Sequence, residues 1–460
     1  MAKYQKYTEY KDSGVEWLEK IPRHWKASYV GVVSDVIDPQ PDHRAPAISE
    51  NGDGFPYIGI RDVNKDGTLN FETARPVEES AVIKQEQSFT IEPHNIIFCK
   101  VGTLGLPRKI IPHGRCALSA TLVLIKARKI ESQFLLYALD SDCIISQTNF
   151  VATGSTRAAL GIQQIRKFRI PLPPNSEQVA IACFLDYETA QIDTLIAKQE
   201  KLIELLKEKR QAVISHAVTK GLNPNVQMKD SGVEWLGEVP EHWKLVPLKY
   251  LCSFSGGGTP TKDNLTYWTN GNIPWVSPKD MKTFLIKETQ DYITEKAVKE
   301  SSTNMVEPNS LLIVVRSGIL QRTIPIAINI VPVTMNQDMK ALKFGQRILV
   351  EYVTNLIHGN TQQLLLEWSK EGATVESIEH EYLANSIIPV PPIEEQEEII
   401  QHIDNELKLF KQLENNANKA IQLMQERRTA LISAAVTGKI DVRHHASRIM
   451  GNDKMQTEVV

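Results

Sequence analysis

The sequence of 460 residues has few features of secreted, membrane or metal-binding proteins. Its five cysteines are scattered without a Cys-x-x-Cys pair, which argues against a zinc site and a disulfide scaffold. No apolar run reaches the roughly 18–20 residues of a membrane span, and the polar residues 1–10 are not typical of a secretory signal peptide. Acidic residues number 55 against 52 Lys and Arg, so the whole chain is no general binder of polyanions. We expect a cytoplasmic protein of about three to four domains.

Motifs for catalysis are also missing from the sequence. A methyltransferase would need a glycine-rich S-adenosylmethionine loop and an Asn/Asp-Pro-Pro-aromatic motif, and neither occurs. Thr437–Ile440 resembles part of a Walker A loop but lacks its upstream glycine and its following Ser or Thr. Pro41-Asp42 has no Glu-x-Lys in reach for a metal-dependent nuclease. We therefore expect no catalytic residue, no metal site and no cofactor-binding site in this chain.

The strongest positive feature is an internal duplication with an offset of 218 residues. The paired segments are residues 11–26 with 229–244, 171–178 with 389–396, and 208–219 with 426–437. In the first pair 12 of 16 positions are identical, including a Pro-x-His-Trp segment whose His24 and His242 are predicted to be structural. The sequences between these segments differ, so a repeated frame holds two dissimilar inserts. Two copies are too few for a solenoid, which needs about three or more stacked repeats, and they predict a pseudo-two-fold object instead.

A long helix is predicted in each half of the frame. Pro171–Pro174 would end any preceding helix, and Asn175 with Gln178 three residues later is suited to an N-cap box. Gly221 and Gly438 stand where C-terminal caps are expected. Apolar residues recur at steps of three and four over ~40 residues, about 60 Å of helix, and predict an antiparallel coiled coil rather than an ordinary bundle. The predicted seam comprises Ile181, Leu185, Ile192, Leu195, Leu202, Leu206 and Val213 in the first helix, and Ile399, Ile403, Phe410, Leu413, Ala417, Ala420, Met424 and Leu431 in the second.

The inserts are predicted to be mixed α/β domains, which makes the fold class α/β (α+β). Short apolar runs at residues 96–98, 122–125, 311–315 and 326–328 predict strands, and residues 132–146 and 348–358 predict helices. The predicted domain order is an N-terminal segment (1–27), a first insert (28–170), a central long helix (171–222), a repeat of the N-terminal segment as linker (223–245), a second insert (246–388), a C-terminal long helix (389–440) and a polar tail (441–460).

Positive charge is concentrated inside the inserts. Residues 93–176 carry eleven Lys or Arg against three acidic residues, and residues 308–350 carry five against one. Such a local excess can follow a phosphate backbone, although a solvated face is the alternative explanation for any single residue. Arg suits guanine edges, Asn and Gln suit adenine edges, and a Gly-rich turn lets backbone amides approach phosphates. The candidate DNA contacts are Lys100, Thr103, Arg108, Lys109, Arg115, Ser155, Thr156 and Arg157 in the first insert, and Ser255, Gly256, Gly257, Thr259, Lys262, Arg316, Ser317, Arg322, Asn336 and Gln337 in the second.

Together, the doubled motifs resemble the specificity (S) subunit of type I DNA restriction-modification enzymes. The resemblance covers about residues 8–440 and rests on the doubled Lys-Asp-Ser-Gly-Val-Glu-Trp-Leu, the doubled Pro-x-Pro-Pro-x-x-Glu-Gln before each helix and the doubled Ala-Val-Thr near each helix end. In the second insert Ser255–Pro260, Arg316–Gly318 and Asn336–Asp338 also resemble the family pattern. The first insert departs from that pattern at Ile37–Asp42 and at Lys100–Gly102.

The resemblance implies that each insert is a target recognition domain that reads one half of a bipartite target in double-stranded DNA, in a bacterium or archaeon. The long helices would hold the two domains at a fixed spacing and bind two methyltransferase (modification) subunits, which carry S-adenosylmethionine. Restriction/translocase subunits would bring the chemistry of ATP and Mg²⁺, so this chain itself would not be an enzyme. The alternative from another class is a coiled-coil scaffold whose inserts bind proteins, and an enzyme that acts alone comes third.

Overall fold

Two units of mixed α and β structure make up the chain, which confirms the predicted fold class. The computed structural model describes residues 4–42, 44–49, 53–152, 159–369 and 376–449. The first unit comprises residues 1–199 and 419–460, and the second comprises residues 200–418. Each unit therefore contains one insert together with a part of both long helices.

Both predicted long helices are present, at Asn175–Lys220 and Ile393–Val436, and are named here the first and the second long helix. Gly221 and Gly438 follow their C-terminal ends with φ angles of +75° and +72°. This left-handed conformation is accessible to glycine without a steric penalty, and it ends a helix by redirecting the chain. The two predicted C-terminal caps are therefore confirmed.

The two long helices run antiparallel, as predicted. In the first unit the start of the first long helix shares a hydrophobic core with the end of the second, through Ile181, Leu185, Ile192, Ile196, Leu431 and Ile432. In the second unit the end of the first long helix shares a core with the start of the second, through Ile214, Val218, Ile399 and Ile403. Each insert contributes side chains to the same core, which gives the apolar stripe of each helix segment a partner.

Three positions of the predicted seam are wrong. Leu195, Leu202 and Leu413 are 49, 41 and 40% exposed, whereas the neighbouring Ile196 is only 8% exposed. A straight α-helix has 3.6 residues per turn, so a strict heptad stripe drifts around it by about 20° per heptad. The apolar residues that face the partner therefore change along the helix, and the middle of the seam is only partly covered.

The first insert is built on a four-stranded antiparallel sheet, in the order Ser34–Ile37, Leu122–Ala127, Ile96–Cys99 and Gly105–Lys109. A three-stranded sheet has the order Arg75–Val77, Phe55–Ile58 and Ala117–Leu118, with the last two strands parallel. Along the strand Ile96–Cys99 of the four-stranded sheet, Ile96 and Phe98 enter the core shared with the long helices, whereas Ile97 and Cys99 enter a second core on the opposite face. This alternation is the period of two expected of a strand, and it confirms the strands predicted at residues 96–98 and 122–125.

The helices of the first insert differ from the prediction at one point. They are Val30–Val33, Glu79–Glu86, Ser132–Leu139, Asp142–Ala152 and Ile162–Arg166. The single helix predicted over residues 132–146 is thus two helices, broken at Asp140 and Ser141. Asp and Ser favour helix ends because their side chains bond to nearby backbone groups, and the Ser141 hydroxyl donates to the Ala138 carbonyl at 2.7 Å.

The second insert repeats this plan with a five-stranded sheet, in the order Cys252–Gly256, Met339–Phe344, Ser310–Val314, Ile326–Asn329 and Leu285–Ile286. A three-stranded sheet has the order Asp291–Ile293, Ile273–Val276 and Thr334–Met335. The helices of this insert are Glu295–Glu300, Val350–Gly359, Thr361–Trp368 and His380–Asn385. The predicted strands at 311–315 and 326–328 are confirmed within one residue, and the helix predicted at 348–358 begins two residues later.

Short strands join each insert to the frame. Lys26–Tyr29 pairs with Arg169–Leu172 in the first unit, and Lys244–Pro247 pairs with Ile387–Val390 in the second. The duplicated segment before each insert forms a hairpin of two short strands, Tyr10–Asp12 with Lys20–Pro22 and Met228–Asp230 with Glu238–Pro240. The chain thus enters and leaves each insert through one pair of adjacent strands.

A glutamate attaches each duplicated Pro-x-His-Trp segment to the start of a long helix. Glu177 Oε1 lies 2.6 Å from His24 Nε2, and its Oε2 accepts a hydrogen bond from Trp25 Nε1 at 3.0 Å. In the second unit Glu395 Oε2 lies 2.8 Å from His242 Nε2 and 3.1 Å from the indole nitrogen of the following tryptophan. Both histidines are therefore part of the frame, in agreement with the prediction that they are structural.

Candidate nucleic-acid interface

In the second insert, motifs that are far apart in sequence meet at one edge of the five-stranded sheet. The strands Cys252–Gly256 and Ser310–Val314 both end at this edge. The strand Met339–Phe344, which lies between them in the sheet, begins there. The Gly258 amide donates to the Met335 carbonyl at 2.8 Å. This edge brings together the three segments 255–259, 316–317 and 336–337, which hold most of the candidate DNA contacts of this insert.

The Gly-rich turn has a structural role that the sequence did not reveal. A Cβ atom on Gly257 would lie 1.8 Å from the carbonyl oxygen of Asn336, so only glycine allows this approach. On Gly256, by contrast, a Cβ atom would meet no heavy atom within 4 Å. Gly257 thus approaches the protein's own backbone, and the approach of the turn to a phosphate stays a prediction.

The polar side chains at this edge differ in how accessible they are. Gln337 is exposed and bonds the hydroxyl of Thr259, while Arg316 pairs through its Nε with Asp338 at 3.1 Å and keeps 62% of its side chain exposed. Asn336 is 93% buried, and its Oδ1 accepts the Asp338 amide at 3.0 Å. Asn336 therefore shapes the turn, and its burial disfavours the predicted base contact.

Several other candidates of the second insert lie on or near the same surface. Lys262 is exposed and lines a cavity of about 540 Å³ together with Lys279 and the rings of Trp268 and Trp275. Sequence reasoning did not single out Trp268 or Lys279, although three aromatic residues stand between Lys262 and Lys279. The remaining candidates are Ser255, which is half-buried, Ser317, which caps a short 3₁₀ turn, and Arg322, which is exposed.

At the corresponding edge of the first insert the chemistry is different. Lys100 is 2% exposed, and its ammonium lies 2.6 Å from Asp38 Oδ2. Its predicted contact with DNA phosphates is therefore corrected, because the charge is buried and already neutralised by the protein. Asp38 follows the strand Ser34–Ile37 directly, as Gly256 ends the corresponding strand of the second insert.

Two arginines of the basic stretch in the first insert are also engaged by the protein. Arg115 lies 2.5 Å from Glu79 and 2.8 Å from Glu86, and these carboxylates raise its pKa. The guanidinium of Arg108 donates to backbone carbonyls of Ile60 and Val63. Both residues thus have partners within the protein that a count of basic residues could not show, and their contact with DNA stays a prediction.

The other candidates of the first insert remain available for contact. Thr103 is exposed, and Lys109 is partly exposed at the end of the strand Gly105–Lys109. Ser155, Thr156 and Arg157 lie outside the described residues. Within the described part of the chain, no group of three His, Cys, Asp or Glu side chains is placed to hold a metal ion. No helix in that part is both long enough and apolar enough to cross a membrane.

Comparison with known proteins gives consistent matches over both halves of the chain. A model of the type I restriction modification DNA specificity domain matches residues 42–205 and 240–423. The specificity subunit of the type I restriction enzyme EcoR124I/EcoR124II of Escherichia coli is 36% identical over 268 residues, which are 57% of this chain and 60% of that one. The MjaIX specificity subunit of Methanocaldococcus jannaschii is 30% identical over 194 residues, 42% of this chain and 43% of that one.

Each of these two matches thus spans less than two thirds of the relative. A similar fold over nearly the whole chain occurs in a protein solved in work on complex assembly and conformational transition of a type I R-M system. That structure aligns with a TM-score of 0.65 at 17% identity, over 90% of this chain and 98% of the other. At this identity the likeness shows the fold.

Proposed function

Since this chain belongs to the type I restriction modification DNA specificity family, we propose that it is a non-catalytic subunit that reads a bipartite sequence in double-stranded DNA, one half with each insert. The observation that carries the proposal is the edge of the second insert, where three motifs from distant parts of the sequence present polar side chains on one surface. Polar side chains on loops at the ends of strands can contact base edges in a groove of DNA.

The exposed groups of the second insert suit both parts of DNA recognition. The amide of Gln337 and the guanidinium of Arg316 have the donor and acceptor geometry that reads base edges in the major groove. Lys262 and Lys279 are exposed around a cavity that Asn336, the neighbour of Gln337, also lines. They suit phosphate contacts, which position a protein on the duplex without reading its sequence. In the first insert we propose that Thr103 and Lys109, with Ser155, Thr156 and Arg157, serve the other half of the target.

The two inserts present different side chains at the corresponding edges of their corresponding sheets. Two different half-sites require such a difference. Arg316 presents an exposed charge in the second insert, whereas Lys100 is buried against Asp38 in the first. We propose that the recognition domains span residues 28–170 and 246–388. The strand pairs at residues 26–29 with 169–172 and 244–247 with 387–390 support these limits, because they close each insert at its base.

We also propose that the long helices bind methyltransferase subunits, two in the assembled complex. The part of the helices in the second unit exposes four leucines, Leu202, Leu205, Leu409 and Leu413, each by 40–48%. In this proposal these side chains form part of the apolar contact with the partners. In this proposal the partners hold S-adenosylmethionine, restriction/translocase subunits supply the chemistry of ATP and Mg²⁺, and the complex acts on DNA in the cytoplasm.

The proposal is tested by DNA binding of the chain in complex with its methyltransferase subunits. Mapping of methylated bases should show one bipartite target. Lys262→Ala should then weaken binding to every sequence and reduce the slope of log K against log salt by about 0.9. Gln337→Ala should instead relax discrimination within one half-site by about 1–3 kcal/mol.

Lys249→Ala is the matched control, because Lys249 is exposed next to the strand pair at the base of the second insert and donates there to Asn385 Oδ1 at 2.7 Å. It should leave the salt slope and the discrimination unchanged. A complex that protects no particular DNA sequence would refute the proposal, and binding of a protein by the inserts without DNA would favour the scaffold alternative.

A further inference from the structure

A buried glutamine stands at the start of each long helix and bonds the insert beside it. In the first unit Gln178 is 3% exposed, its Oε1 accepts the backbone amide of Glu131 at 2.7 Å, and its Nε2 donates to the Pro173 carbonyl at 2.8 Å. Glu131 is the N-cap residue of the insert helix Ser132–Leu139. One carboxamide therefore joins the start of the long helix to the start of an insert helix, in place of the N-cap box predicted for Gln178.

The second unit repeats this arrangement. Gln396 is fully buried, its Oε1 accepts the Leu349 amide at 2.9 Å, and its Nε2 donates to the Pro391 carbonyl at 2.9 Å and to the Arg347 carbonyl at 3.1 Å. Leu349 is again the N-cap residue of an insert helix, Val350–Gly359.

All three corresponding positions of the joint are separated by the offset of 218 residues, although the inserts around them differ in sequence. Glu131 and Leu349 have unrelated side chains, and the glutamines bond only their backbone amides. The joint thus fixes the geometry of an insert on its helix independently of what that insert reads.

We propose that Gln178 and Gln396 are positioning residues that set the number of base pairs between the two half-sites, an inference that rests on the proposed function. Each glutamine fixes the angle at which an insert stands on its long helix. Within the first unit, residues 175–199 of that helix extend about 37 Å at 1.5 Å per residue. A change of about 5° in this angle would move the far end of this helix segment by about 3 Å relative to the insert. That displacement is close to the 3.4 Å rise of one base pair.

The test replaces each glutamine by methionine, which has a similar length and shape but can neither donate nor accept these bonds. Wild-type, Gln178→Met and Gln396→Met chains are each assembled with the methyltransferase subunits. The DNA probes are duplexes that carry the target mapped for the wild-type complex, the same target with its spacer changed by one base pair, and targets with one mismatch in either half-site. Methylation rates are measured for each.

For both variants we expect the ratio of rates between the native and the altered spacer to fall by about tenfold, which corresponds to about 1.4 kcal/mol. The discrimination against half-site mismatches should stay unchanged, because the reading edge of each insert is intact. Gln87→Met is the control, since Gln87 is exposed at the C-terminal end of the insert helix Glu79–Glu86, outside both joints and both long helices. It should keep the wild-type ratio.

An unchanged spacer ratio in a folded variant overturns the inference, and so does an equal loss of spacer and half-site discrimination, which would show that the glutamines only hold the insert together. If thermal denaturation shows that a methionine variant is unfolded, Gln396→Glu is judged by the same two criteria, because it retains the acceptor for the Leu349 amide. A wild-type complex that methylates a target without a fixed spacer refutes the proposed function itself.

Discussion

The buried pair of Lys100 and Asp38 gives a prediction whose size follows from its geometry. Lys100 Nζ and Asp38 Oδ2 are 2.6 Å apart, and only 3% and 14% of the two side chains are exposed. At an effective dielectric constant of about 20, two such charges attract by about 6 kcal/mol. Desolvation offsets much of this attraction for the pair, but a single charge left behind retains its own desolvation penalty.

We therefore expect Asp38→Asn to lower the free energy of unfolding by about 3–5 kcal/mol, because it leaves the ammonium buried without a counter-charge. Lys100→Met should lie at the lower end of this range, since Asp38 is slightly more exposed and its Oδ1 also accepts the Gln40 amide at 3.1 Å. The double variant should return to within about 1 kcal/mol of the wild type, because no unpaired charge remains.

Urea denaturation of the full chain, followed by circular dichroism, measures these differences. Lys84→Met is the matched control, because Lys84 pairs with Asp42 at a similar distance, 2.7 Å, but the two side chains are 59% and 39% exposed. An exposed pair of this kind should contribute less than about 1 kcal/mol. If Lys100→Met changed stability as little as the control and yet weakened DNA binding, the ammonium would be acting on phosphates and our reasoning would be wrong.

Two further predictions concern the second insert and the buried thiols. Gly257→Ala should destabilise the chain by about 3 kcal/mol and abolish protection of one half-site, because its Cβ would lie 1.8 Å from the Asn336 carbonyl oxygen, whereas Gly256→Ala should change thermal stability by less than about 1 kcal/mol. Burial raises the pKa of Cys143 and Cys252 to about 12. Cys252 is partly exposed, so its alkylation by iodoacetamide, followed by mass spectrometry, should keep rising with pH beyond pH 10, and a plateau near pH 9 in the folded chain would contradict this.

The frame of the protein could be predicted because its signals are local. Prolines before each helix, glycines with positive φ after it and the repeated apolar stripe lie within the segment they define. The stripe failed at Leu195 and Leu202, where the burial of a side chain depends on how two helices turn about each other over several heptads. Local sequence predicts that each helix forms. Which side chains pack against each other depends on the assembled core.

The candidate site was predicted as a set of motifs. The structure shows which of their side chains bond other groups of the protein and which are exposed. Lys100 and Arg115 are both basic residues in a basic stretch, yet their carboxylate partners lie 62 and 29 to 36 residues away in the chain. Charge counted along a window of sequence cannot show which cations are already neutralised. The role of Gly257 was hidden for the same reason, since the carbonyl that requires glycine belongs to Asn336.

The way the inserts are attached explains how a duplicated chain can diverge in its inserts and keep its frame. Glu177 and Glu395 bond His and Trp side chains of the frame itself, and the bonds of Gln178 and Gln396 to the inserts go only to backbone groups. Every non-proline residue supplies the amide that the glutamine needs, so substitutions elsewhere in an insert leave the joint unaffected. The offset of 218 residues, which is kept from Lys11 to Thr437, therefore accords with two equal joints that do not depend on the side chains of the inserts.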